Sequence, residues 1–122
     1  MSPLVFSLAT LACGVGALLR FLLTKINREW KYPWPTFAAN VLGSILLGAI
    51  AHAAITSPHP DALMLIVGGG FAGGLTTFSS LAVDAVVLSR AGRPGVATGY
   101  LGATCAAGLL GAALGWALAG AF

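Results

Sequence analysis

Charge is what this sequence lacks most. Of its 122 residues only 7% are charged, three of them acidic and six basic, while 58% are hydrophobic. A composition so poor in charge, with a mean hydropathy of +0.95, excludes a water-soluble domain of this size and marks an integral membrane protein. Cysteine is equally sparse. Cys13 and Cys105 both fall inside apolar segments without paired spacing, so the sequence offers no disulfide framework, and both read as packed thiols. His52 and His59 have no ligand-type neighbour at i+3 or i+4, which argues against a histidine metal site. There is no nucleophile–base pair and no phosphate-cradling loop ahead of a lysine, so nothing points to catalysis.

What is present is apolar sequence in four blocks. The pattern predicts an all-α membrane protein whose single domain, residues 1–122, has helices over about 3–25, 36–56, 62–89 and 96–121, each meeting the roughly 20 residues needed to cross a bilayer. The first block lacks the basic leader of a secretory signal and reads as a true span. With 17 glycines, the helices are expected to pack through small residues.

The connectors set an orientation. Lys25, Arg28 and Lys31 follow the first span and Arg90 and Arg93 follow the third, whereas "TSPHPD" after the second has no Lys or Arg. The two basic loops share one side, which the positive-inside rule makes cytoplasmic, so both termini are expected outside. Trp30, Tyr32 and Trp34 in the first basic loop read as interfacial anchors.

The third span holds the anomaly. "GGGFAGGLTTFSS" puts Gly68, Gly69, Gly70, Gly73 and Gly74 just ahead of Thr76, Thr77, Ser79 and Ser80. Each interior glycine disfavours helix by on the order of 1 kcal/mol relative to alanine, so the glycine run is expected to break the helix. A packing motif alone does not need the hydroxyls that follow. Freed carbonyls can meet a cation, and a half-helix N-terminus with hydroxyls can face an anion.

Two further tracks carry polar or small residues four apart: Asn40, Ser44 and Gly48 on the second helix, and Tyr100, Thr104 and Gly108 on the fourth. Together with the third span they predict a hydrophilic path lined by neutral donors, which can bind an anion reversibly. The positive edge of the Phe78 ring suits the same task. Asp84 is the one acid within a span, and Arg20 lies at a similar depth, so the two are expected either to pair or to leave Arg20 drawing anions into a vestibule.

Nearly the whole chain resembles the CrcB/Fluc fluoride channels, through "GVGALLR" (14–20), "PTFAANVLGSILLG" (35–48) and above all "GGLTTFSS" (73–80). The resemblance implies a passive fluoride exporter of the prokaryotic plasma membrane that confers fluoride resistance. It also implies an antiparallel dimer with two pores and a structural sodium ion where the two helix breaks meet. On the family pattern, Gly73 and Thr76 supply the sodium-facing carbonyls. Asn40, Ser79 and Ser80 hydrogen-bond in the pore, Phe78 is the first pore phenylalanine, Tyr100 and Thr104 begin the polar track of the last helix, and Arg20 is the basic residue ending the first helix. Leu81 departs from the pattern, standing where a second pore phenylalanine is usual, and Gly108 replaces a hydroxyl.

An antiparallel homodimer needs one chain inserted both ways, yet the loops carry five Lys or Arg on one side and none on the other. The bias predicts pairing with a related, oppositely oriented subunit, with a homodimer as the alternative. A small proton-coupled multidrug exporter fits poorly, because the first helix lacks an acid to exchange protons. A non-transporting assembly subunit does not account for the polar tracks.

Overall fold

The computed structural model describes residues 2–26 and 32–121. Arg28, Trp30 and Lys31, assigned above to topology and anchoring, lie outside the described residues. The remainder is helical: α1 (Pro3–Ile26), α2 (Trp34–Thr56), α3 (Pro60–Leu63), a π-helical segment (Met64–Ala72), α4 (Gly73–Leu75), α5 (Phe78–Arg90) and α6 (Pro94–Ala119). From α3 to α5 these pieces form one bent span, so four stretches among the described residues are long and apolar enough to cross a membrane. Tyr32 and Trp34 at the foot of α2 are exposed, as interfacial anchors require.

Local chemistry sets the boundaries. Proline stands in the first turn of α1, α2, α3 and α6, where its missing N–H would have no helical partner and its fixed φ suits the helix. At the far end of α5 the chain closes in a Schellman turn: Arg93 N–H reaches Leu88 O at 3.1 Å and Gly92 N–H reaches Ser89 O at 3.1 Å. Gly92, at φ +77°, supplies the left-handed residue this turn needs.

Packing divides the molecule into two faces. α1 lies along the π-helical segment and α4, while α6 packs on α2 and on α5. The contacts of α1 with the bent span and of α6 with α2 bring backbone against backbone. A Cβ at Gly74 would strike the carbonyl of Cys13, and one at Gly48 would strike that of Ala112. Only Gly16 is buried on α1, so this helix is held by close approach and not by large side chains.

The third span is broken near its middle, as expected, but the glycines themselves stay helical. Ala72 and Gly73 keep right-handed helical angles, and Gly73 N–H reaches Gly68 O five residues back, the bond of a π-helix. Tertiary contact outweighs the weak helix propensity of glycine, because the bare surface admits α1 at backbone distance. The interruption comes later, at Thr76 and Thr77.

Candidate functional site

Thr76 (φ −79°, ψ 157°) and Thr77 (φ −154°, ψ 124°) are both extended. Two extended residues inside a membrane helix release backbone groups that each disfavour burial by roughly 2–7 kcal/mol unless bonded. Neighbouring helices and the break itself satisfy part of them. Asn40 of α2 receives the Thr77 N–H on Oδ1 at 2.7 Å and donates from Nδ2 to Thr77 O at 3.1 Å. Thr77 Oγ1 caps α5 by accepting the Ser80 N–H at 3.1 Å, and it also bonds the hydroxyls of Ser79 and Ser80, each at 3.2 Å. Arg20 of α1 donates from Nη1 to Thr76 O at 3.4 Å.

The same bonds decide which carbonyls remain open. In a continuous helix Thr77 N–H would serve Gly73 O, but here it is turned to Asn40. Ser80 N–H would likewise serve Thr76 O, but it goes to the Thr77 hydroxyl. Gly73 and Thr76 therefore present main-chain oxygens outside the helical ladder, the donor type a hard cation takes. The Arg20 contact uses one of the two lone pairs of Thr76 O.

Beside the break lies an open cavity of about 820 Å³ bounded by α2, the bent span and α6. Asn40, Ser44, Gly73, Thr76, Phe78 and Thr104 reach it, with Gly108 and Leu109 on the α6 side. The two predicted tracks converge there in part. A helix turns 100° per residue, so a four-residue step drifts about 40° and a second step doubles the drift. Gly48 is accordingly packed into the α6 backbone, and Tyr100 turns away toward α5.

Phe78 is 81% exposed at the mouth of this cavity, and Leu109 is 75% exposed. Leu81 is buried at the cavity wall, so this residue also carries core packing. Ser79 and Ser80 open instead into a second pocket of about 350 Å³ with Thr24, Thr36 and Asp84. The Thr77 hydroxyl contacts both serines and its residue lines the first cavity, so it joins the two spaces.

The predicted Arg20–Asp84 pair does not form. Arg20 is turned to the break, and Asp84, 6% exposed, accepts the Tyr100 hydroxyl on Oδ2 at 3.2 Å. Thr104 bonds back to Tyr100 O at 2.7 Å, so its hydroxyl hydrogen is already engaged within α6. Sequence reasoning missed the organising part of Thr77; its N-cap residue type ahead of Phe-Ser-Ser was the available signal. Cys13 and Cys105 are exposed, not packed, because Cys13 meets Gly74 through its backbone while its side chain leaves the contact. His52 stands edge-on to Trp116 with ring centroids 4.9 Å apart, and no cluster of three metal-ligating side chains occurs among the described residues.

Comparison with known proteins adds the lineage. Residues 7–116 match the family model described as CrcB-like protein, Camphor Resistance (CrcB). The chain belongs to the CrcB family. Among its CrcB relatives, the fluoride-specific ion channel FluC 1 of Rubrobacter xylanophilus is 38% identical across 100% of this chain and 98% of its own length. The FluC 1 of Ligilactobacillus salivarius is 38% identical over 86% of this chain and 90% of its own, and the FluC of Novosphingobium aromaticivorans 39% over 84% and 85%.

Proposed function

We propose that this CrcB chain is a subunit of a fluoride channel that lets cytoplasmic fluoride leave passively down its electrochemical gradient. The observation that carries the reading is the break at Thr76–Thr77, which opens a cavity of about 820 Å³ where neutral donors and an exposed aromatic ring meet. Full-length relatives named as fluoride-specific channels supply the ion.

Hydrogen fluoride is a weak acid that crosses bilayers neutral and dissociates in a more alkaline cytoplasm, so an anion pore with an inside-negative potential is enough for resistance. Within the pore, neutral donors replace water around the ion without trapping it as a fixed cation would. Phe78 offers its ring edge, and Asn40, Thr104, Ser79 and Ser80 border the path on either side of Thr77. Tyr100 acts through Asp84, and Arg20 brings positive charge to the break.

The working unit in this reading is an antiparallel dimer with two pores in a prokaryotic plasma membrane, its termini outside. The exposed Phe78 and Leu109 leave the cavity unfinished in one chain, which supports a second subunit. The carbonyls of Gly73 and Thr76 would hold a sodium ion, which would supply positive charge at the break. The charge bias of the loops favours an oppositely oriented relative as the second subunit. Terminal tags exposed on both membrane faces, with this chain expressed alone, would refute that preference.

Purified chain in liposomes loaded with potassium fluoride tests the function. After a potassium ionophore is added, rapid fluoride efflux is expected, with no chloride release from chloride-loaded vesicles. Absence of fluoride efflux, both alone and with the oppositely oriented relative, would overturn the assignment.

A further inference from the structure

We infer that Asn40 governs permeation as a positioning residue, by holding the backbone of Thr77, and is not itself a required anion donor. The inference rests on the channel reading above. Thr77 is extended, and in such a residue the N–H and C=O point to the same side. A single planar amide can therefore pair with both, as a neighbouring β-strand would. Asn40 does so at 2.7 and 3.1 Å from a position 37 residues away on α2.

Two consequences follow from this one contact. By taking the Thr77 N–H, Asn40 releases Gly73 O from the helical ladder. By fixing Thr77, it sets the hydroxyl that caps α5 and bonds Ser79 and Ser80, and so the turn on which Phe78 projects into the cavity. Asn40 thus stands behind several groups the anion would meet. Its Oδ1 and one Nδ2 hydrogen are spent on this clamp, which leaves a single hydrogen for any other partner.

A carboxyl group separates positioning from donation. In Asn40→Asp the neutral acid can accept the Thr77 N–H on one oxygen and donate its only hydrogen to Thr77 O, rebuilding the clamp with nothing left for an anion. The ionised form accepts but cannot donate. Fluoride efflux and hydrogen exchange at the Thr77 amide are measured for wild type, Asn40→Ala and Asn40→Asp, with each variant's efflux referred to wild type at the same pH.

The expected result for Asn40→Ala is a fall in efflux of about tenfold or more together with faster exchange at Thr77. Asn40→Asp is expected to regain both efflux and protection as pH falls. Efflux lost in Asn40→Ala while Thr77 stays protected would overturn the inference, as would an Asn40→Asp variant that protects Thr77 yet conducts at no pH. Wild-type efflux from an Asn40→Ala variant would overturn it too. Where Asn40→Asp protects Thr77 at no pH, the Asn40→Ala pair of readouts decides. A wild type that does not conduct sinks the channel reading and is recognised separately, because exchange at Thr77 still reports the clamp.

Discussion

The Tyr100 hydroxyl donates to Asp84 Oδ2 at 3.2 Å, joining α6 to α5 through a buried acid. Asp84 is 6% exposed, so its carboxyl depends on this partner. Tyr100→Phe is expected to destabilise the protein by about 1–3 kcal/mol, since it strands a buried acceptor. Asp84→Leu combined with Tyr100→Phe should lower stability by less than the sum of the single changes. Thermal unfolding of the three variants in detergent checks this, and simple additivity would deny the coupling.

The break depends on a hydroxyl. Thr77→Val removes the cap of α5 and is expected to lose about 1 kcal/mol of stability along with efflux, whereas Thr77→Ser retains the accepting oxygen and should stay near wild type in both. Equal behaviour of the two variants would show that the hydroxyl is not what holds α5.

Phe78 is expected to separate function from folding. Its side chain is 81% exposed on the chain, so Phe78→Ala should leave the unfolding temperature within a few degrees of wild type, a change of about 0.5 kcal/mol or less. Fluoride efflux should fall by about tenfold if the ring edge contacts the ion with about 1.4 kcal/mol. Unchanged efflux would remove Phe78 from the pore.

Glycines fall into two groups that alanine can tell apart. Gly74→Ala places a methyl group in the backbone of Cys13 and is expected to destabilise by about 1–3 kcal/mol through overpacking. At Gly102 nothing lies within 4 Å of the new methyl, so Gly102→Ala should be neutral or gain up to about 1 kcal/mol from helix propensity. Unfolding temperatures moving in the same direction for both would contradict the contact between α1 and α4.

Much of this fold is legible in the sequence because its cause is local. Runs of apolar residues locate the four spans, and Pro3, Pro35, Pro60 and Pro94 stand in the first turns of their helices. The site is less legible where its cause is tertiary. Propensity alone points to a break within Gly68–Gly74, but the proximity of α1 keeps that stretch helical. Asn40 reads as a pore donor until the fold brings it to Thr77, and Arg20 and Asp84 read as a pair until each meets a nearer partner. Spacing of four residues places Asn40 with Ser44 and Thr104 with Gly108, but over eight residues the drift of the helix carries Gly48 and Tyr100 elsewhere.

The π-helical segment at Met64–Ala72 makes the effect of a deletion in this span depend on where it falls. A π-helix holds an extra residue in each hydrogen-bonded ring, so loss of one glycine from Gly68–Gly70 could be absorbed by return to ordinary α-helix. The span would still be long and apolar enough to cross the membrane. Absorbed in this way, the deletion would leave everything beyond it near its original register against α1 and α2, with Thr77 still beside Asn40. A one-codon deletion after the segment, within Gly73–Leu75, finds no such spare residue: the chain would still insert, but Thr77 would turn by about 100° from Asn40 and the site would be lost.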